Sequence, residues 1–416
     1  MSSRKRRRVE LDKDVYTAAQ ERISLAYDVH DQLVVGFSGG KDSTVCLEMV
    51  VEEARRRGKL PVPAIFFDEE AIPYETEHYV RRRYQSDEVE VHWYSVPVRH
   101  LNACSKKQPF WSCWDPDEEH LWCRSMPPES ITWRDDKHLM RRLNPERQTV
   151  AERPTIPSTT PYVMINFTER FGVIGFVMGI RTAESMARYR NVRGLYENFM
   201  TGVGQHGEAT YRHVYPIYDW QHEDVWRAIV QNGWDYNEAY DIMEAAGMTL
   251  AEQRCAPPYG AEPIRGLWRF KSCHPELWDK MVERVPGANT AAMYAREGFY
   301  SAVLKPEGAT WEDYIRDELE KFGEPMRTVM AKRIKAELSK HYRRTDDPIL
   351  DSVPHPETGV SWGRLAHLAV RGDFKSRKTL LRAQPGTEEQ SWATYLAERE
   401  KLADSGKLPR RGRYVG

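Results

Sequence analysis

Hydrophobic and polar positions alternate with two different periods along the first 245 residues. Apolar runs of strand length, rich in β-branched or aromatic residues, fall at 32–37, 63–67, 89–96, 172–179 and 213–217. Between some of them apolar residues recur three and four apart. Cys46, Met49, Val50 and Ala54 share one face after Ser43, charges occupy the other, and Gly58 supplies a stop, which predicts a helix over 43–57. Val225, Trp226, Ile229 and Val230, with Gly233 beyond them, predict a second helix over 219–232. Strands separated by helices predict an α/β fold with a doubly wound, parallel, five-stranded sheet, complete near residue 245.

The remaining chain reads differently. Helical periodicity at 311–322, 324–342 and 388–402 is separated by Pro/Gly-rich stretches such as 346–363, and Thr310 with Asp313 forms a weak helix start. The expected organisation is a basic arm and lead-in helix over 1–28, a nucleotide-type domain over 29–245 and a mainly helical domain over 246–416. Residues 99–160 are too long and irregular for an ordinary connection, so they predict a functional insertion or lid. Trp93, Trp111, Trp114, Trp122 and Trp133 lie in or just before it and predict a packed aromatic layer, with a base-stacking surface as the alternative.

Composition narrows the class. The 416 residues carry a formal net charge of −1, which excludes a polycationic coat or an acidic solvating chain. No apolar run approaches the length of a membrane span, and no signal-type apolar segment follows the N-terminal charges, so a cytoplasmic protein is expected. Arg4-Lys5-Arg6-Arg7-Arg8 and Arg410-Arg411-Gly412-Arg413 make both ends basic. They read first as solvated tails and second as nucleic-acid contacts. Six scattered cysteines predict reduced thiols rather than a disulfide framework.

The sharpest chemical signal is Ser38-Gly39-Gly40-Lys41-Asp42-Ser43 between the first strand and its helix. Glycines permit close approach, backbone N–H groups and hydroxyls converge, and a lysine adds charge, which makes an anion cradle. The spacing matches neither G-x-x-x-x-G-K-[ST] nor G-x-G-x-x-G. Arg181 and Arg188, beyond a later strand, are two guanidinium forks that suit phosphate or sulfate, with salt bridges to Glu184 as the alternative.

Ser38 to Ser43 after a β-strand resembles the PP-loop of the HUP-like, adenine nucleotide α-hydrolase-like superfamily, and in particular the phosphoadenosine-phosphosulfate (PAPS) reductase family. Phe67-Asp68, Gly179-Ile180-Arg181-Thr182-Ala183-Glu184-Ser185 with Arg188, and Pro216-Ile217-Tyr218-Asp219-Trp220 with Asp224-Val225-Trp226 support that branch. Phe110 to Pro116, Arg254 to Gly260, Arg265 to Trp268 and Gly287-Ala288-Asn289 look like the IbrA-type subfamily, whose members are often accompanied by a ParB-like partner.

The resemblance implies that Ser38, Gly39, Gly40, Lys41, Asp42 and Ser43 hold the phosphates of ATP or PAPS. Phe67 and Asp68 would line the adenosine side, and Gly179, Arg181, Glu184, Ser185 and Arg188 would complete the cofactor site. Lys41, Asp42, Arg181 and Cys255 are the expected catalytic residues, with Arg265 weaker. Asp42, Asp68 and Glu70 are the candidate Mg²⁺ ligands, Glu70 reading equally as a surface carboxylate. With ATP, attack at the α-phosphorus would give an adenylate and pyrophosphate. The expected partners are an adenine nucleotide and a ParB-like protein, with nucleic acid a further candidate through the basic ends and no membrane.

The cysteines weigh against a standard reductase. The Cys-Gly motif of thiol-dependent PAPS reductases is absent near the end, the last cysteine being Cys273, and without any Cys-x-x-Cys no iron–sulfur cluster is expected. Cys104, Cys113 and Cys123 with His100 and His120 offer weak zinc spacing, buried thiols being the simpler reading. Cys46 reads as core. Cys255 is the thiol best placed for sulfur chemistry, because it falls within a subfamily motif.

Overall fold

The computed structural model describes residues 12–185, 188, 189, 192, 199–202, 204–206, 209–250, 252–259, 267–294, 303–372 and 388–408. Both basic ends, Gly260, Arg265 and Gly266 lie outside the described residues. The chain forms two compact units. One comprises Met1–Arg99, Ser112–Pro257 and Cys273–Lys280, the other His100–Trp111, Pro258–Ser272 and Met281–Gly416. The two units do not follow the boundary at 245, and residues 99–160 are divided between them. Residues 100–111 join the second unit because Leu101 and Phe110 pack on its core, Ala103 donates to the Tyr259 carbonyl at 2.9 Å, and Lys106 pairs with Glu318 at 2.8 Å.

In the first unit, α1 (Val15–Val29) leads into β1 (Gln32–Gly36), α2 (Lys41–Arg57), β2 (Val62–Phe67), α3 (Tyr74–Tyr84) and β3 (Val89–Tyr94). A two-stranded ribbon, β4 (Arg99–Leu101) with β5 (Phe110–Ser112), follows in the chain, and its residues 100, 101, 110 and 111 belong to the second unit. Then come α4 (Ile156–Phe171), β6 (Ile174–Met178), β7 (Gly204–His206), β8 (Ala209–Val214), α5 (His222–Asn232) and α6 (Ala239–Ala245). The main sheet has the order β3-β2-β1-β6-β8-β7. Its first five strands run parallel, as expected, and β7 adds an antiparallel edge on β8. The last parallel strand sits at 209–214 rather than 213–217, since Tyr215 to Ile217 already belong to the turn toward α5.

Side-chain alternation explains the two layers. Leu33, Val35, Phe66, Trp93 and Val177 point into a core shared with α1, α2, α3 and α5. His92 points the other way, where Phe167 of α4 meets it edge-on at 4.7 Å. Helix α2 stops at Gly58, whose φ of 66° lets its N–H reach the Ala54 and Arg55 carbonyls, and Arg55, Arg56 and Arg57 complement the dipole of the last turn.

β1 lies between β2 and β6, so successive connections leave it in opposite directions. That is the switch point of a doubly wound sheet, where a crevice opens beyond the strand carboxyl ends. The Ser38–Ser43 loop and Arg181 both stand at this edge.

The second unit contains α7 (Trp311–Glu320), α8 (Met326–Tyr342), α9 (Trp362–Arg371) and α10 (Glu388–Asp404). Thr310 caps α7 by accepting the Asp313 N–H, as its sequence predicts. Ile315, Met330, Ile334, Leu365 and Leu368 form the centre of its core. Among the described residues no helix is long and apolar enough to cross a membrane.

Candidate nucleotide-phosphate site

The cradle is built from the loop outward. Gly39 adopts a φ of 69°, and a Cβ there would stand 3.0 Å from the Thr76 methyl, so both conformation and space require glycine. Ser43 Oγ accepts the Ser38 N–H at 3.1 Å and donates to the Gly40 carbonyl at 2.8 Å, which closes the turn. Thr44 Oγ1 also donates to Gly40 and accepts from the Tyr79 hydroxyl at 3.0 Å. Gly179, just past β6, lets that strand end touch the first turn of α2, since a Cβ would stand 2.7 Å from the Asp42 carbonyl oxygen.

Charge then collects around the loop. Lys41 Nζ lies 3.4 Å from Asp42 Oδ2, and Arg181 Nε donates to Asp42 Oδ1 at 2.5 Å. Arg181 also reaches Glu184 Oε1 at 3.5 Å and His222 Nδ1 at 3.4 Å, while Arg188 pairs with Glu184. Ser185 Oγ accepts the Arg188 N–H at 3.2 Å. Burial, and then the positive charges of Arg181 and Lys41, push the His222 pKa down, so its neutral ring accepts from Arg181. Lys41, Arg181 and Arg188 thus gather around Asp42 and Glu184. Arg181 is fully buried, yet its Nη1 has no hydrogen-bond partner among the described residues. A buried guanidinium nitrogen left without an acceptor is costly unless a ligand supplies one.

Asp68 and Glu70 form a second, different cluster. Asp68 is 1% exposed; its carboxylate accepts from the Arg124 guanidinium, from Trp93 Nε1 at 2.8 Å and from the Glu70 N–H at 2.9 Å. Glu70 is fully buried, with a φ of 63°, and accepts the Trp114 N–H at 2.6 Å and the Cys123 N–H at 3.1 Å. Asp68 is thus sealed beneath the insertion rather than turned to an adenosine, and Glu70 is not a surface carboxylate. Phe67 stays partly exposed, its ring 5.6 Å from that of Tyr94.

The three expected metal ligands do not converge: among the described residues no group of three or more His, Cys, Asp or Glu side chains could hold a metal. Asp42 is held by two cations, and Asp68 and Glu70 are engaged by Arg124 and by N–H donors. These residues do not fit a protein-held Mg²⁺.

Of the five tryptophans between 93 and 133, Trp114 and Trp122 are paired with each other, whereas Trp93 meets Phe66 and Trp111 meets Tyr259. Trp114 is fully buried, meets Trp122 at 5.1 Å and donates from Nε1 to the Asp68 carbonyl at 2.8 Å. Cys104, Cys113 and Cys123 are buried and form no disulfide, as is true of Cys46 in the sheet core.

Cys255 lies beneath the loop, where Asn237 Nδ2 donates to its sulfur at 3.3 Å. Burial pushes its thiol up to about 11, against hydrogen bonds from Tyr240 and Thr76 and the charge of Lys41. Asn237, Tyr240, Thr76 and His222 surround the loop without having been singled out in the sequence. The Asp224 side chain, accepting the Gln221 N–H at 2.7 Å in a capping box, was the available local signal that a helix would start at His222.

Fold and site together define a nucleotide-binding α/β domain of the PP-loop type, with a glycine loop after the first strand. The family model described as the phosphoadenosine phosphosulfate reductase domain matches residues 32–243, just over half of the chain, and the chain belongs to that family. A domain of unknown function, DUF3440, matches residues 247–353. The chain is similar to the uncharacterized protein YbdN of Escherichia coli (strain K12), with 29% identity over 390 residues, 89% of this chain and 91% of that protein. Among solved structures it is similar to the PAPS reductase from Candida auris in a phosphate complex, at 15% identity and a TM-score of 0.31 over 56% of this chain and 93% of that one. It is also similar to NMN synthetase from Francisella tularensis, at 11% identity and a TM-score of 0.31 over 71% and 100%.

Proposed function

We propose that the chain is an enzyme that binds ATP at the Ser38–Ser43 loop and cleaves it between the α- and β-phosphates, transferring the adenylyl group to an acceptor. The observation that carries this reading is the buried Arg181, whose Nη1 has no partner among the described residues and which stands beside Lys41 and Asp42 at the sheet's switch point. An acceptor oxygen forms a bond to the α-phosphorus, the bond to the bridging oxygen breaks, and pyrophosphate leaves with the electron pair while the acceptor proton passes to solvent. Lys41, Arg181 and the loop amides meet the charge that grows on the phosphate oxygens.

Reduction of a sulfonucleotide is the second reading, favoured by the position of Cys255 under the loop. Its burial and raised pKa oppose attack by a thiolate. The IbrA-type assignment, a ParB-like protein partner and nucleic-acid contact through the basic ends belong to the same proposal; they rest on motif resemblance and charge. Assaying ATP for pyrophosphate and PAPS for sulfite in parallel tests it. Pyrophosphate lost in Lys41→Ala supports adenylation, and sulfite lost in Cys255→Ser supports reduction. Nucleotide binding with neither product, even with partner and nucleic acid present, points to a sensor without turnover.

A further inference from the structure

The loop is held from outside by a residue 198 positions downstream. Asn237 is 1% exposed and its Oδ1 accepts the Ala239 N–H at 3.0 Å at the start of α6. Its Nδ2 donates to the Gly39 carbonyl at 2.9 Å and to Thr76 Oγ1 at 2.8 Å, with the Cys255 sulfur beyond. The opposite amide orientation would set two oxygens against each other at Gly39, so the surroundings fix which end donates. Next to it, the Tyr240 hydroxyl accepts the Lys41 N–H at 3.0 Å, and the Lys41 ammonium stands 5.3 Å from the centre of the same ring. One short segment therefore touches the loop at its left-handed glycine and at its lysine.

A Ser-Gly-Gly turn is among the most mobile sequences a chain can present, and fixing one residue's backbone costs roughly 1–2 kcal/mol. If that ordering occurs when the ligand arrives, it is subtracted from affinity; if the fold has already imposed it, it is not. We propose that Asn237 is a positioning residue for the anion loop: by clamping the Gly39 carbonyl it orders the loop before a phosphate chain enters, so that α6 sets where Lys41 and the loop amides stand. The proposal rests on reading this loop as a nucleotide-phosphate site.

The test compares ATP, inorganic pyrophosphate and adenosine by calorimetry on the full chain, with a thermal melt of each variant. Asn237→Ala weakens ATP and pyrophosphate together by about tenfold and leaves adenosine within about twofold, because only the phosphate part meets the loop. Thr76→Val keeps the methyl packed on Gly39, removes the second anchor of Asn237, and acts in the same direction by about two- to fivefold. If Asn237→Ala does not fold, Thr76→Val carries the test alone. Unchanged pyrophosphate affinity in the folded variants, or an equal loss for adenosine, overturns the positioning role. A parent protein that binds neither ATP nor pyrophosphate overturns the reading of the loop, and the positioning role falls with it.

Discussion

Two charged clusters occupy the carboxyl edge of the same sheet, and they differ in how completely the polar atoms of their charged side chains find hydrogen-bond partners. Around Asp68 and Glu70, beyond β2, the carboxylate oxygens are met by Arg124, Trp93 and backbone N–H groups, and Trp114 donates from its ring to the Asp68 carbonyl. Around Lys41 and Arg181, beyond β1 and β6, a fully buried guanidinium nitrogen stands without an acceptor among the described residues. The same residue types hold the fold together in one place and leave bonding capacity for a ligand in the other.

Breaking the matched cluster has the largest effect. Asp68→Asn leaves Arg124 buried with one charge partner fewer, at a cost of about 3–5 kcal/mol in denaturant melts. A loss under about 1 kcal/mol would mean that the pair is not structural.

Gly179→Ala strikes the join between the sheet and the unmatched cluster. The added methyl meets the first turn of α2, and we expect about 1–3 kcal/mol of destabilisation in the same melts together with weaker ATP binding. Arg181→Lys keeps the charge and removes the fork. Affinity for ATP falls about tenfold, equivalent to roughly 1.4 kcal/mol, with a smaller change in melting temperature than either other variant. Equal losses of stability in Arg181→Lys and Asp68→Asn would erase the contrast between the clusters.

The smallest expected effect concerns Cys255. With its pKa at about 11, roughly one thiol in a thousand is ionised at pH 8, so iodoacetamide labels the half-buried Cys273 first and Cys255 only slowly, its rate rising with pH. Rapid labelling of Cys255 at pH 7, followed by peptide mass spectrometry, would revive the reductase reading.

The parallel sheet, the loop and α2 were legible because β-branched runs, paired glycines and three-and-four spacing are local signals. The edge strand β7 was not, since three residues carry too short a pattern to read. At the site, Lys41 and Arg181 were legible from their place after strands. The true roles of Asp68 and Glu70 depend on Arg124 and Trp114, which reach them only after the insertion folds back, some 44 to 56 residues away. Arg188 pairs with Glu184, a salt bridge that its four-residue spacing already allows. Asn237 and Tyr240 lay hidden because nothing within their own stretch points to a loop at residue 39.

Calorimetric titration of ATP into the parent protein and Lys41→Ala tests the central claim most directly. The account predicts saturable binding by the parent and at least about tenfold weaker binding by a variant whose melting temperature is nearly unchanged. Equal affinity in the two proteins would contradict it.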